Sequence, residues 1–110
     1  MTRRLYPCPV EAAIDIIGGR WKPRIVWTLR DRTLRFSEIQ REIPEMAQRT
    51  HSRQLRDLEQ DGLGSRKAWP EIPPRVEYTI TPRGRTVLPL QESLWDGVKN
   101  EVAESLEYMK

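Results

Sequence analysis

The chain has 110 residues, 37% hydrophobic and 32% charged, enough for one domain around a single core and too periodic in its apolar residues to be disordered. No apolar run approaches the ~18 residues of a membrane span and no signal-peptide pattern opens the chain, so a cytoplasmic protein with no membrane partner is expected. A single cysteine excludes an internal disulfide framework and agrees with a reducing compartment. The net charge of +3 is unevenly spread: residues 1–80 hold 15 Lys+Arg against 11 Asp+Glu, and residues 81–110 hold 4 against 5. That asymmetry suits a body that meets a polyanion and a tail that meets protein.

In chain order, Met1 to Pro7 forms a basic arm. Pro9 suits a first helical position, and Val10, Ala13, Ile14 and Ile17 continue as one apolar stripe ending at Gly18-Gly19. A second helix begins near Pro23, turns Ile25, Val26 and Leu29 inward, and stops around Asp31-Arg32. Leu34 and Phe36 make a brief extended link. A third helix then starts at Ser37 or the residue before it, with Ile39 and Ile43 inside and Pro44 as its end. Only three or four residues separate it from the next helix, expected over about residues 47–62. Two short helices joined so tightly read as a helix-turn-helix, here spanning residues 33–63.

The second of these helices carries two stripes. His51, Leu55, Leu58 and Gly62 fall at i, i+4, i+7 and i+11, which stacks them on one side. Arg49, Arg53 and Arg56 keep the same spacing two residues earlier, about 200° around the axis at ~100° per residue. One side can pack on a core while the other presents three guanidinium groups, with Ser52 near them and Gln48 and Thr50 toward the helix start. Such a helix fits the major groove of double-stranded DNA, where arginine reads guanine through paired hydrogen bonds. A merely solvated charged face is the simpler alternative. Base contacts tend to come from the N-terminal half of a reading helix, so Arg49, Ser52 and Arg53 are expected to specify sequence and Arg56 to hold phosphate.

After Gly62 the period changes from 3.6 to 2. Ser65 to Trp69 and Arg75 to Ile80 read as two strands, with Val76, Tyr78 and Ile80 on one face. Between them Pro70-Glu71-Ile72-Pro73-Pro74 must be a loop. A hairpin over residues 64–80, directly after a reading helix, is a wing. Arg66, Lys67 and Arg75 flank its tip, where they are candidates for phosphate or minor-groove contacts or simply charges that protect a strand edge. Thr81-Pro82 starts a last helix, with Thr81 as cap and Pro82 at the first position. Val87, Leu90, Leu94, Val98, Val102, Leu106 and Met109 then recur for about 25 residues, with Trp95 beside them. One helix of that length exceeds what this core needs. Pairing of residues 81–110 with the same helix of a second subunit is the economical answer, folding back onto its own core the alternative. Pro89 is expected to kink it and Gly97 to weaken it.

The runs CPVEAAIDIIGGRWKPRIVWTL, LRFSEI, LRDLEQDGL and PEIPPRVEYTITPRG, in this order, resemble the HxlR-type winged helix-turn-helix family of bacterial transcription regulators over about Cys8 to Trp95. The resemblance implies a mainly α fold with a small β-hairpin wing, in which residues 8–32 and the last helix pair two subunits. Val10 and Ile14 would then join Leu94, Trp95, Val98, Val102, Leu106 and Met109 at the dimer interface. It also implies a homodimer on a pseudo-palindromic DNA operator, acting as a nucleoid-associated repressor or activator. Some members respond to electrophiles, oxidants or small aromatic compounds. Two positions depart from the pattern: His51 stands where a leucine-like residue is usual, and Gly64 replaces an aliphatic residue at the start of the wing, at a cost of ~1 kcal/mol.

Cys8 sits at the start of the first helix, where unpaired backbone N–H groups favour the thiolate. The resemblance places the sensing cysteine of redox-responsive members here; a small hydrophobe without that role is the alternative. His51, the only histidine, reads as a hydrogen-bonded core residue rather than a metal ligand, with a weak pH response as the other reading. Trp21, Trp27, Trp69 and Trp95 read as core and interface filler rather than as a small-molecule pocket. The chain has no nucleophile-and-base motif, no phosphate-cradling glycine loop and no metal spacing, so no enzyme, cofactor or metal is expected. The expectation is a DNA-binding transcriptional regulator. The rivals are a thiol switch that regulates protein interaction, a thiol enzyme lacking a resolving partner for Cys8, and a binder of structured RNA lacking a stacking platform.

Overall fold

In the computed structural model, which describes residues 5–102, the order of elements is α1 (Pro9–Ile17), α2 (Lys22–Thr28), β1 (Leu34–Arg35), α3 (Phe36–Glu42), α4 (Gln48–Gln60), β2 (Gly64–Trp69), β3 (Arg75–Ile80), α5 (Pro82–Arg85) and α6 (Val87–Val102). Leu106 and Met109 lie outside the described residues. The architecture is the mainly helical winged helix-turn-helix that the residue pattern predicts.

The helix starts follow from capping chemistry. Cys8 caps α1, its Sγ accepting from the Glu11 backbone N–H at 3.4 Å, with Pro9 in the first turn. Glu38 reaches back to accept from the Arg35 backbone N–H at 2.8 Å at the start of α3. Thr81 Oγ1 accepts from Gly84 N–H at 3.0 Å at the start of α5. The α4 end is a Schellman turn: Leu63 N–H donates to Leu58 O at 2.9 Å and Gly62 N–H to Glu59 O at 3.1 Å. Gly62, at φ +75°, supplies the left-handed residue that this turn requires. Gly62 therefore ends the reading helix instead of extending its buried stripe.

The core gathers Ile25, Val26 and Leu29 from α2 and its end, Ile39 and Ile43 from α3 and its end, and Leu55 and Leu58 from α4. Met46, Leu63, Ile80 and Val87 close it. Each of these residues is less than 9% exposed, so one apolar cluster holds the three body helices and the sheet together.

Three further features differ from the sequence reading. The second helix stops at Thr28 rather than near Asp31, because the chain tightens into turns (Arg30 N–H to Trp27 O at 3.2 Å, Arg32 N–H to Leu29 O at 3.4 Å) while Leu29 stays buried. Apolar spacing thus outlasts the helix. The link at Leu34 is a strand. It pairs antiparallel with β3 (Leu34 with Tyr78, Arg35 with Glu77), so the sheet has three strands in the order β1-β3-β2 rather than being a two-stranded hairpin. A two-residue strand has no period to read, and its partner lies far along the chain. The last helix is broken at Thr86 into α5 and α6 rather than kinked at Pro89. Pro89 has no N–H for the Arg85 carbonyl, and its ring would press on that oxygen, so α5 ends before a continuous turn would need the bond.

Gly84 explains how α5 docks. A Cβ there would lie 2.2 Å from the Leu63 carbonyl oxygen and 2.7 Å from Ile80 Cγ1, so only glycine lets α5 settle on the start of the wing.

Candidate nucleic-acid interface

The helix-turn-helix consists of α3 and α4 joined through Ile43 to Ala47. Met46 is buried at the turn, and its carbonyl accepts a hydrogen bond from Gln40 Nε2 at 2.5 Å. That contact orients the Gln40 amide so that its Oε1 faces His51 Nδ1 at 2.8 Å. Because Gln40 Oε1 can only accept, Nδ1 carries the proton and His51 is the neutral Nδ1–H tautomer. The imidazole is fully buried and stacks on Phe36 with ring centroids 3.9 Å apart. Its Nε2 has no hydrogen-bond partner among the described residues, and burial pushes the imidazole pKa down to about 4. His51 is therefore a core residue that ties α4 to α3. Sequence pattern placed it on the buried stripe but could not name Gln40 or Phe36 as its partners.

With His51, Leu55 and Leu58 holding one side of α4, the opposite side faces out. Gln48, Arg49, Ser52, Arg53 and Arg56 are exposed, and Thr50 is half-buried. Arg49, Arg53 and Arg56 make no ion pair or hydrogen bond among the described residues. Other arginines of the body are paired: Arg24 with Glu45, Arg32 with Glu42 and Arg30 with Asp31. The N-cap of α4, Ala47, offers no side-chain acceptor, and the first turn contains no acid. The helix thus begins with open N–H groups and cations, an arrangement complementary to phosphate.

The wing cations are held differently. Arg75 lies 3.2 Å from Glu71, with its guanidinium carbon 4.0 Å from the Trp69 ring centroid, while Lys67 Nζ lies 4.8 Å from the same ring. Cross-strand pairing puts Trp69 opposite Arg75 and Lys67 opposite Glu77, so these four side chains share one face of the hairpin. Arg66, on the other face opposite Tyr78, is exposed and unpaired among the described residues. Trp69 therefore belongs to the wing, whereas Trp27 lies on α2, Trp21 at its N-cap and Trp95 on α6.

A second exposed feature is apolar. Val10 and Ile14 on α1 are 66% and 61% exposed, and Leu94 and Val98 on α6 are 63% and 48% exposed; Trp95 and Val102 are half-buried. Cys8 is exposed beside Val10. No group of three or more His, Cys, Asp or Glu side chains among the described residues could hold a metal ion, and none of their helices is long and apolar enough to cross a membrane.

Comparison with known proteins agrees with this geometry. The family model described as HxlR-like helix-turn-helix matches residues 16–105. An HTH-type transcriptional regulator of Methanothermobacter thermautotrophicus is 51% identical over 89 residues, 81% of this chain and 68% of that one. The redox regulator HypR, solved in reduced and oxidised forms, is 40% identical in its reduced form with a TM-score of 0.78, covering 90% of this chain and all of that one. The reduced transcriptional regulator YodB of Bacillus subtilis, also solved diamide-treated and quinone-bound, is 31% identical with a TM-score of 0.77, covering 87% and 95% of the two chains. With a matching family model, a close curated relative and the outward arginine row on α4, the chain belongs to the HxlR-like helix-turn-helix family of DNA-binding transcriptional regulators.

Proposed function

We propose that the protein works as a homodimeric repressor that lays two copies of α4 into successive major grooves of a pseudo-palindromic operator. The observation that carries this reading is the row of exposed arginines, Arg49, Arg53 and Arg56, left without protein partners on a helix whose opposite side is buried. Gln48, Arg49, Thr50, Ser52 and Arg53 read bases, Arg56 holds phosphate, and the wing adds Arg66 and Lys67, with Arg75 available once released from Glu71. The apolar stripes of α1 and α6 (Val10, Ile14, Leu94, Trp95, Val98 and Val102) form the pairing surface, because the four exposed side chains among them, Val10, Ile14, Leu94 and Val98, gain most from burial against a partner. Cytoplasmic action without a catalytic role follows from the same reading.

Gel-shift titration and footprinting on the DNA upstream of the chain's own gene test the core of it, with sedimentation to measure oligomeric state. Specific binding that weakens steeply with salt and a protected region of two half-sites are the expected results. A monomer indifferent to DNA sequence overturns the reading.

Cys8 supports a response to thiol-reactive or small aromatic effectors. It is exposed, caps α1 and adjoins the proposed pairing surface, so modification there would alter how two subunits meet. The likeness to HypR in two redox forms and to diamide-treated and quinone-bound YodB favours this role. Diamide or a quinone is expected to release operator from the native protein and to leave Cys8→Ser bound; release from both overturns the assignment.

A further inference from the structure

Two helix ends meet at one ammonium group. Lys22 Nζ lies 3.0 Å from Asp61 Oδ2 and 3.3 Å from the Ile16 carbonyl oxygen, with only 15% of the lysine side chain exposed. Ile16 is in the last turn of α1, and Asp61 is the C-cap of α4. Neither helix has a basic residue in its own last turn, so Lys22 supplies the positive charge that both carbonyl ends favour. Lys22 is itself the first residue of α2, where a cation opposes that helix's dipole. Its place is accounted for by what it ties together, not by the helix it begins.

The tie matters because α1 is otherwise lightly held. None of its residues is buried, and Ile16 and Ile17 meet the core with only part of their side chains. Gly18-Gly19 follows it, with Gly19 at φ +89° and open space around the position of a Cβ, so the backbone alone leaves the helix direction weakly constrained. α1 also carries Val10 and Ile14 of the proposed pairing surface, whereas α4 carries the arginine row.

We propose that Lys22 is a positioning residue that sets the angle between α1 and the reading helix, and through it the separation of operator half-sites that the dimer accepts. The proposal rests on the two-headed reading above. Tilting α1 against the body displaces each α4 relative to the twofold axis, and a shift of ~3.4 Å along DNA is one base pair.

The test uses the full-length protein and the inverted repeat that it recovers from a random-sequence duplex pool, rebuilt with its spacer unchanged, one base pair shorter and one longer. The native protein is expected to prefer the recovered spacer by about tenfold. Lys22→Met and Asp61→Asn should reduce that preference to about twofold or less while leaving dimer sedimentation and single half-site binding within about twofold, and Lys22→Arg should restore it. A purely structural role would lower the melting temperature without changing spacer preference. Lys22→Met with the native preference overturns the proposal, as does a loss that Lys22→Arg fails to restore. A native protein indifferent to spacer length overturns the two-headed reading instead, and the proposal with it.

Discussion

The reading helix and the Trp69 face of the wing both present arginine, yet they hold it in opposite ways. On α4 the cations make no ion pair among the described residues, although Asp57 and Glu59 stand one turn on from Arg53 and Arg56; the first turn holds no acid, and the inner side of the helix is occupied by His51, Leu55 and Leu58. On the hairpin, Arg75 is drawn back by Glu71 and laid on Trp69, with Lys67 on the same ring. The lesson is that a basic residue's availability to a polyanion depends on its neighbours in space. Equal charge in the sequence does not mean equal charge offered to DNA.

The sharpest way to break this contrast is to remove the arginines of α4 one at a time. Arg49→Ala and Arg53→Ala should each cost ~1–3 kcal/mol of operator binding and relax specificity at one position, while Arg75→Ala should cost well under 1 kcal/mol. Titrations at one fixed salt concentration check the ordering, and equal losses at all three positions would erase the difference between helix and wing.

The anchored side of α4 gives the next effect. His51 is held neutral with its pKa lowered to about 4, below the usual value of 6.5, so the unfolded chain binds a proton more readily. Stability is therefore full above pH 6.5 and declines as pH falls toward 4, by about 2 kcal/mol between pH 7 and pH 5. Urea unfolding at both pH values checks this. His51→Leu, which removes the titrating group, should flatten the difference.

Gly64 offers a smaller, opposite change on the wing side. A Cβ there would meet Leu58 Cβ and the Thr79 carbonyl oxygen at 3.8 Å, ordinary contact distances, and its φ is not in the left-handed region. Gly64→Ala should raise stability by ~0.4–1 kcal/mol in thermal or urea unfolding, with operator affinity unchanged. Gly84→Ala should destabilise instead, since its Cβ would overlap the Leu63 carbonyl. The smallest effect should come from Glu71→Gln, which releases Arg75: operator binding strengthens by a few tenths of a kcal/mol, and the salt slope steepens by up to about one counterion. An unchanged slope would mean that the arginine stays on Trp69 without its carboxylate.

Much of this architecture was legible in local chemistry. Pro9 and Pro82 mark helix starts, Gly18-Gly19 marks a stop, and the two stripes of α4 separate a buried from an exposed side because helical periodicity is a property of the chain itself. The resemblance carried by CPVE, GGRWK and LRDLEQDGL pointed to the same fold. Less legible were features that depend on a distant partner. Strand β1 exists only because β3 is there to pair with it, the end of α2 is hidden by the continued burial of Leu29, and the break at Thr86 depends on where Pro89 falls within a helix rather than on its mere presence.

By itself, then, the amino-acid order determined which segments are helical, which side of α4 is apolar and that its other side is cationic, since these follow from spacing along one backbone. Tertiary structure alone decided which cations remain free, how His51 Nδ1 is paired with Gln40 and its ring stacked on Phe36, and that Lys22 joins the ends of α1 and α4. The reason is range: periodicity acts within a few turns, whereas an ion pair, a ring contact or an unpaired guanidinium is settled by whichever residues folding brings within a few ångströms.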